Sequence, residues 1–270
     1  MKTAIKLAFI YLGFQLLGMI FGSIIGVLYS IITTGTTEAM PTHTLALTLF
    51  FGIAFMSIYL WKAGYISKDK VTWSPVSLYY LALSIIIWAS VTFPIDYLLS
   101  LMKWLPNILE DTFSTLQAGW LGIICIALLG PILEELLFRG AITKKLLEKY
   151  SPKKAIILSA LIFGIIHINP IQVISATLIG LLLAWIYYKT ASLIPCILIH
   201  VINNSFSVYT SIKYPDLEYT SDLFTNTIYI GASIIIFGVT LYLMKNITIN
   251  YPWKKNEAEI NNEGEIITNN

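Results

Sequence analysis

Two adjacent glutamates and the chain's only arginine lie within six residues, Glu134-Glu135-Leu136-Leu137-Phe138-Arg139, in an otherwise apolar stretch. Ionisable groups in a membrane-spanning segment are rare and costly, and they default to a functional reading. On a helix, positions i and i+4 share a face, so Arg139 is expected to neutralise Glu135 through a charge-assisted contact. Glu134 points about 100° away round the helix and lacks that partner, which leaves its carboxylate for chemistry. Two more pairs have the same spacing. Phe163 stands four residues before His167, where its ring can orient the imidazole. His200 stands four before Asn204, placing a ring nitrogen beside an amide. Pro131, one turn before the glutamates, removes a backbone hydrogen bond and opens the helix to water. A carboxylate, two imidazoles and an amide supply what peptide hydrolysis needs: an activated water, a proton for the leaving amine and donors to the oxyanion. The rival chemistry is a Zn²⁺ ion held by His167, His200 and one glutamate, Glu134, with the other glutamate as base. That set has three protein ligands and an open position. The metal-free reading is favoured, because Asn204 suits an oxyanion donor better than a support behind a metal ligand.

These residues need helices to hold them at one depth. The chain has 270 residues, 57% of them hydrophobic and 12% charged, against about 25% charged in soluble domains. It reads as an all-α, polytopic membrane bundle. Eight stretches satisfy the need for about 20 mostly apolar residues: roughly 5–32, 43–61, 76–101, 117–138, 155–169, 171–188, 191–212 and 226–244. The fifth and sixth form a tight hairpin at Asn169-Pro170. With the amino terminus inside, fifteen of the seventeen basic residues fall on the inner side, Lys68, Lys254 and Lys255 among them, and Lys103 and Lys213 fall outside. This bias predicts both termini in the cytoplasm. The outer loops carry Glu38, Glu110, Asp111, Asp216, Glu218 and Asp222. Residues 1–116 thus supply three amino-terminal spans and 117–208 the spans that carry the three polar motifs. An outer loop and last span follow at 209–250, then a disordered cytosolic tail at 251–270. At ~1.5 Å per residue, measured from the inner lysines, Glu134 lies ~15 Å deep, His167 ~20 Å and His200 ~16 Å. Three helices bring polar groups to one layer, as a site in a bundle requires.

Other readings are weaker. A lone Glu–Arg pair can be a packing staple, and His or Asn in a span can be interhelical glue; the joint cost of several such groups at one depth counts against glue alone. Cys125 and Cys196 lie in apolar runs, so no disulfide framework is expected. Cys196 stands four residues before His200, but a buried structural thiol is the plainer reading. His43 opens the second span as an interfacial residue. No basic patch points to nucleic acid, no nucleotide-binding or HExxH motif occurs, and no inverted repeat supports a transporter using Glu134 and His167 as a proton relay.

The ordered set Glu134-Glu135-x-x-x-Arg139, Phe163-x-x-x-His167 and His200-x-x-x-Asn204 resembles the CAAX protease and bacteriocin-processing (Abi) family of intramembrane endopeptidases, which includes the ras-converting prenyl endopeptidase. Gly140, Gly164 and Leu193 flank the motifs in the same way, and the resemblance covers about residues 117–208. It implies a helical membrane bundle with a site open to the cytosol. By position, Glu134 is then the general base and His167 its partner in activating water. His200 and Asn204 steady the oxyanion, and Glu135, Arg139 and Phe163 support them. The family has been classed both as metalloproteases and as glutamate-dependent proteases. A peptide or lipidated-protein substrate in the bilayer is implied: a lipidated carboxy-terminal peptide in the ras-converting branch, a leader peptide or a bacteriocin self-immunity role in the bacterial branch. The short, arginine-poor chain fits a bacterial plasma membrane. The alternative is a catalytically silent membrane scaffold or immunity protein of the same fold.

Overall fold

The computed structural model describes residues 1–38, 40–66, 70, 72–217 and 227–247. Lys68, Glu218, Asp222, Lys254, Lys255 and the tail 251–270 lie outside the described residues. Among the described residues, all regular structure is helical. The helices are α1 (Lys2–Thr34), α2 (Pro41–Lys62), α3 (Leu78–Ser100), α4 (Glu110–Gln117), α5 (Trp120–Leu147), α6 (Pro152–Ile165), α7 (Pro170–Thr190), α8 (Ile194–Lys213) and α9 (Thr227–Asn246).

Each of the eight apolar stretches is a helix, and six of them (α1, α2, α3, α5, α7 and α9) are long and apolar enough to cross a membrane. The chain is an integral, multi-pass membrane protein. The remaining two depart from the expected spans for different reasons. Helix α8 has 20 residues but spends one face on His200, Asn203, Asn204 and Ser207. Helix α6 has only 14 residues, about 21 Å at the α-helical rise, which falls short of a hydrocarbon core of about 30 Å. It ends because Pro170 drives Asn169 out of the helical region, to φ −67° and ψ 116°, and Ile168 adopts a positive φ of 63°. The Asn169 side chain fastens this turn. Its Oδ1 accepts from the Ile108 N–H at 3.1 Å and its Nδ2 donates to Asn107 Oδ1 at 2.8 Å. The short α4 was not among the expected elements.

Between apolar helices in lipid there is little hydrophobic driving force, so close packing of small residues must hold them. Helices α1 and α2 show this. Gly18, Gly22 and Gly26 form the buried stripe of α1, and a Cβ on Gly18 or Gly22 would collide with the backbone of Gly52 or Thr48. The opposite face of α1, with Phe9, Leu16, Ile20 and Ile24, is exposed, as befits a surface solvated by lipid tails. Buried side chains gather in two main clusters. One joins α1, α2, α5 and α6 through Leu7, Met56, Leu137 and Phe163. The other joins α3, α7, α8 and α9 through Tyr80, Leu183, Ile199 and Met244. Helix α5 meets α8 along the seam between them, and the polar residues lie there.

Helix α5 is not a uniform α-helix. It winds as a π-helix at Cys125–Leu129 and Leu136–Thr143, with an α-helical segment, Gly130–Glu135, between. The Gly130 N–H donates to Cys125 O, five residues back, and Pro131 has no N–H to give. Wide turns of this kind are rare and recur at functional sites.

Candidate active site

The middle segment of α5 presents two carboxylates to different partners. Glu135 is fully buried, and its Oε1 accepts from Arg139 Nη1 at 2.7 Å, itself fully buried. The same oxygen accepts from His200 Nδ1 at 2.7 Å. Arg139 also donates through Nη2 to Gly180 O on α7 at 3.2 Å, and its guanidinium lies 4.6 Å above the centre of the Phe163 ring. Isolated charges here would cost several kcal/mol each, about the penalty for a buried ion; pairing, hydrogen bonding and ring stacking offset that. Gly180 is small enough for α7 to come this close, since a Cβ there would crowd Phe163 and Ala160.

Glu134 makes none of these contacts. Its side chain is 16% exposed, and Oε2 lies 3.6 Å from His200 Nε2 and 3.9 Å from His167 Nε2. His167 follows the end of α6, 20% exposed, and its Nδ1 is 2.8 Å from Phe163 O. A carbonyl can only accept, so Nδ1 carries the hydrogen there. Glu135, paired with Arg139, likewise accepts from His200 Nδ1. Both imidazoles therefore turn Nε2 towards Glu134, with the opposite nitrogen held by a second group. Phe163 supports both rings edge-on, with centroids 5.0 Å from His167 and 5.7 Å from His200.

Asn204 lies one turn beyond His200. Its Nδ2 donates to Ile126 O at 2.9 Å, and its Oδ1 accepts from Asn203 Nδ2 at 3.2 Å. Asn203 Oδ1 in turn accepts from Trp88 Nε1 at 3.0 Å. The Glu135–Arg139, Phe163–His167 and His200–Asn204 pairs share helical faces or their ends, and spacing finds all three. Four participants escape such reasoning: the Glu135–His200 bond, the Gly180 carbonyl, Asn203 as more than glue, and Trp88. Each joins residues distant in the chain, and only Pro131 hinted that a carbonyl near Ile126 would need an outside partner.

Cys196 donates its thiol to Leu183 O at 3.4 Å and is fully buried, a packing position. Both cysteines are free. His43, exposed, stacks on Tyr29 at 5.5 Å.

The donor chemistry of Glu134, His167 and His200 suits Zn²⁺, and each imidazole has the supporting hydrogen bond that zinc-binding histidines usually have. Among the described residues, however, no group of three His, Cys, Asp or Glu side chains stands at metal-ligand spacing.

Residues 115–206 match the family model described as type II CAAX prenyl endopeptidase Rce1-like. The chain is also 35% identical over 104 residues to the putative membrane peptidase YdiL of Bacillus subtilis (strain 168), covering 38% of this chain and 43% of that protein. It thus spans less than half of the relative's length. No solved structure matches. Every motif residue expected from the sequence lies inside the matched segment, so residues 115–206 are the part of the chain that is similar to the CAAX prenyl endopeptidases.

Proposed function

We propose that the chain is an intramembrane endopeptidase that hydrolyses a peptide bond with Glu134 as general base. The observation that carries this reading is the convergence of Glu134 Oε2 and two Nε2 atoms, at 3.6 and 3.9 Å, with both Nδ1–H groups already engaged. These separations exceed a direct hydrogen bond and suit a bridging water. The water donates one hydrogen to Glu134 and the other to His167 Nε2, which fixes its lone pair. Glu134 takes the proton as the oxygen attacks the scissile carbonyl. Negative charge then moves to the carbonyl oxygen, which His200 and the remaining Asn204 N–H steady. As the C–N bond breaks, the proton on Glu134 passes to the leaving nitrogen.

A zinc ion, if bound, would be held by Glu134, His167 and His200 and would polarise the carbonyl or acidify water. The mechanism favoured here does not depend on it. The substrate is a membrane-associated peptide, either a leader peptide or a lipidated carboxy terminus. The setting is a bacterial plasma membrane with both termini inside, as the lysine bias supports.

The test is cleavage by the full chain in membranes, before and after exhaustive treatment with a chelator, beside Glu134→Gln at matched expression. Activity that survives chelation and disappears in Glu134→Gln supports the glutamate mechanism. Activity lost on chelation and restored by Zn²⁺ supports the metal alternative. Wild-type cleavage by Glu134→Gln removes the base assignment and leaves the silent scaffold.

A further inference from the structure

Trp88 lies on α3, outside the segment that matches the family, yet one hydrogen-bonded line runs from it to the seam. The indole Nε1–H donates to Asn203 Oδ1 at 3.0 Å, Asn203 Nδ2 to Asn204 Oδ1 at 3.2 Å, and Asn204 Nδ2 to Ile126 O at 2.9 Å. The polarity of this line is fixed at both ends. An indole N–H can only donate and a backbone carbonyl can only accept. Asn203 must therefore turn its oxygen to Trp88, and Asn204 must turn its NH₂ to Ile126. Neither amide can rotate by 180° without setting donor against donor or acceptor against acceptor.

The acceptor end has its own cause. Ile126 O sits in the first π-helical stretch. Its α-helical partner would be the Gly130 N–H, which goes to Cys125 O. Its π-helical partner would be residue 131, which is proline. Pro131 thus leaves a carbonyl for Asn204 to cap, in a membrane helix where an unsatisfied backbone group is costly.

We infer that Trp88 and Asn203 are positioning residues, which lock the Asn204 carboxamide so that its second N–H is aimed at the reacting carbonyl. This rests on the oxyanion role proposed for Asn204. Trp88 is itself anchored: it is buried and packs edge-on against Phe206 at 5.9 Å. The amino-terminal helices then contribute to the site as well as to the bundle.

The experiment uses full chain in membranes at blot-matched levels, with an internally quenched farnesyl-cysteine peptide as the probe. Trp88→Phe keeps an aromatic ring and removes the donor. It should lower kcat roughly ten- to a hundredfold with KM unchanged, in line with the cost of a small misplacement at a reacting centre. In an Asn204→Ala background the same change should add less than about twofold, because coupled residues are not additive. If Asn204→Ala lowers kcat and Trp88→Phe does not, the inference fails while the oxyanion role stands. If neither does, the oxyanion role fails and the inference with it. A readout independent of the probe and of the Trp88→Phe fold is exchange of the Trp88 indole hydrogen in ¹⁵N-tryptophan-labelled protein. Asn203→Leu should speed that exchange; an unchanged rate would show that the line does not hold the indole and would overturn the inference.

Discussion

Neighbouring glutamates in one helix have been given opposite tasks. Glu135 is spent: one oxygen serves both Arg139 and His200 at 2.7 Å. Glu134 is left partly exposed towards two Nε2 atoms. Substitutions should separate these roles. Glu134→Gln should lower cleavage by roughly 10²–10⁴, the usual contribution of a general base, while expression and thermal stability in detergent stay near wild type. Glu135→Gln removes one partner from a buried pair and should cost about 3–5 kcal/mol of stability, read as a lower unfolding temperature and reduced yield. Arg139→Lys should also destabilise, since one ammonium cannot reach Glu135 and Gly180 together or stack on Phe163. The Glu135–Arg139 pair was legible because both partners ride one helix. The Glu135–His200 bond was not, since 65 residues separate the partners and only the approach of α8 to α5 brings them together.

Among the elements, α5 and α6 carry the unusual geometry. Apolar runs of the right length announce the helices, so all eight stretches could be located from hydropathy. Hydropathy says nothing about which N–H meets which carbonyl, and the π-helical turns of α5 follow from that bookkeeping. Proline at 131 was visible; the capping of Ile126 O by Asn204 depended on the packing of α8. Pro131→Ala restores an N–H that can compete for Ile126 O, and should lower kcat roughly ten- to a hundredfold through misplacement of Asn204 without loss of stability. Helix α6 ends at Ile165, two residues before His167. Its contact with α7 depends on Gly164, where a Cβ would collide with Thr177 and Val173 O. Gly164→Val should therefore destabilise by more than about 1–3 kcal/mol, the usual cost of overpacking, visible as loss of folded protein in size-exclusion profiles.

For the molecule as a whole, α5 stands between two packed groups of helices and borrows from both. Phe163 comes from one cluster, Ile199 and the turn bearing His200 from the other. The Glu135–Arg139 pair within the seam is fully buried, so its electrostatic contacts act in a low dielectric. The architecture makes sense if the seam holds a reaction, and the central claim is that this reaction is peptide cleavage based on Glu134. The most direct measurement follows peptides by mass spectrometry in membranes of cells expressing wild type, Glu134→Gln or His200→Ala at equal levels. Cleavage based on Glu134 predicts a shortened peptide in the wild type that is missing from both variants. An identical peptide profile in all three, with each protein folded, would contradict it and leave the polar seam as structure alone.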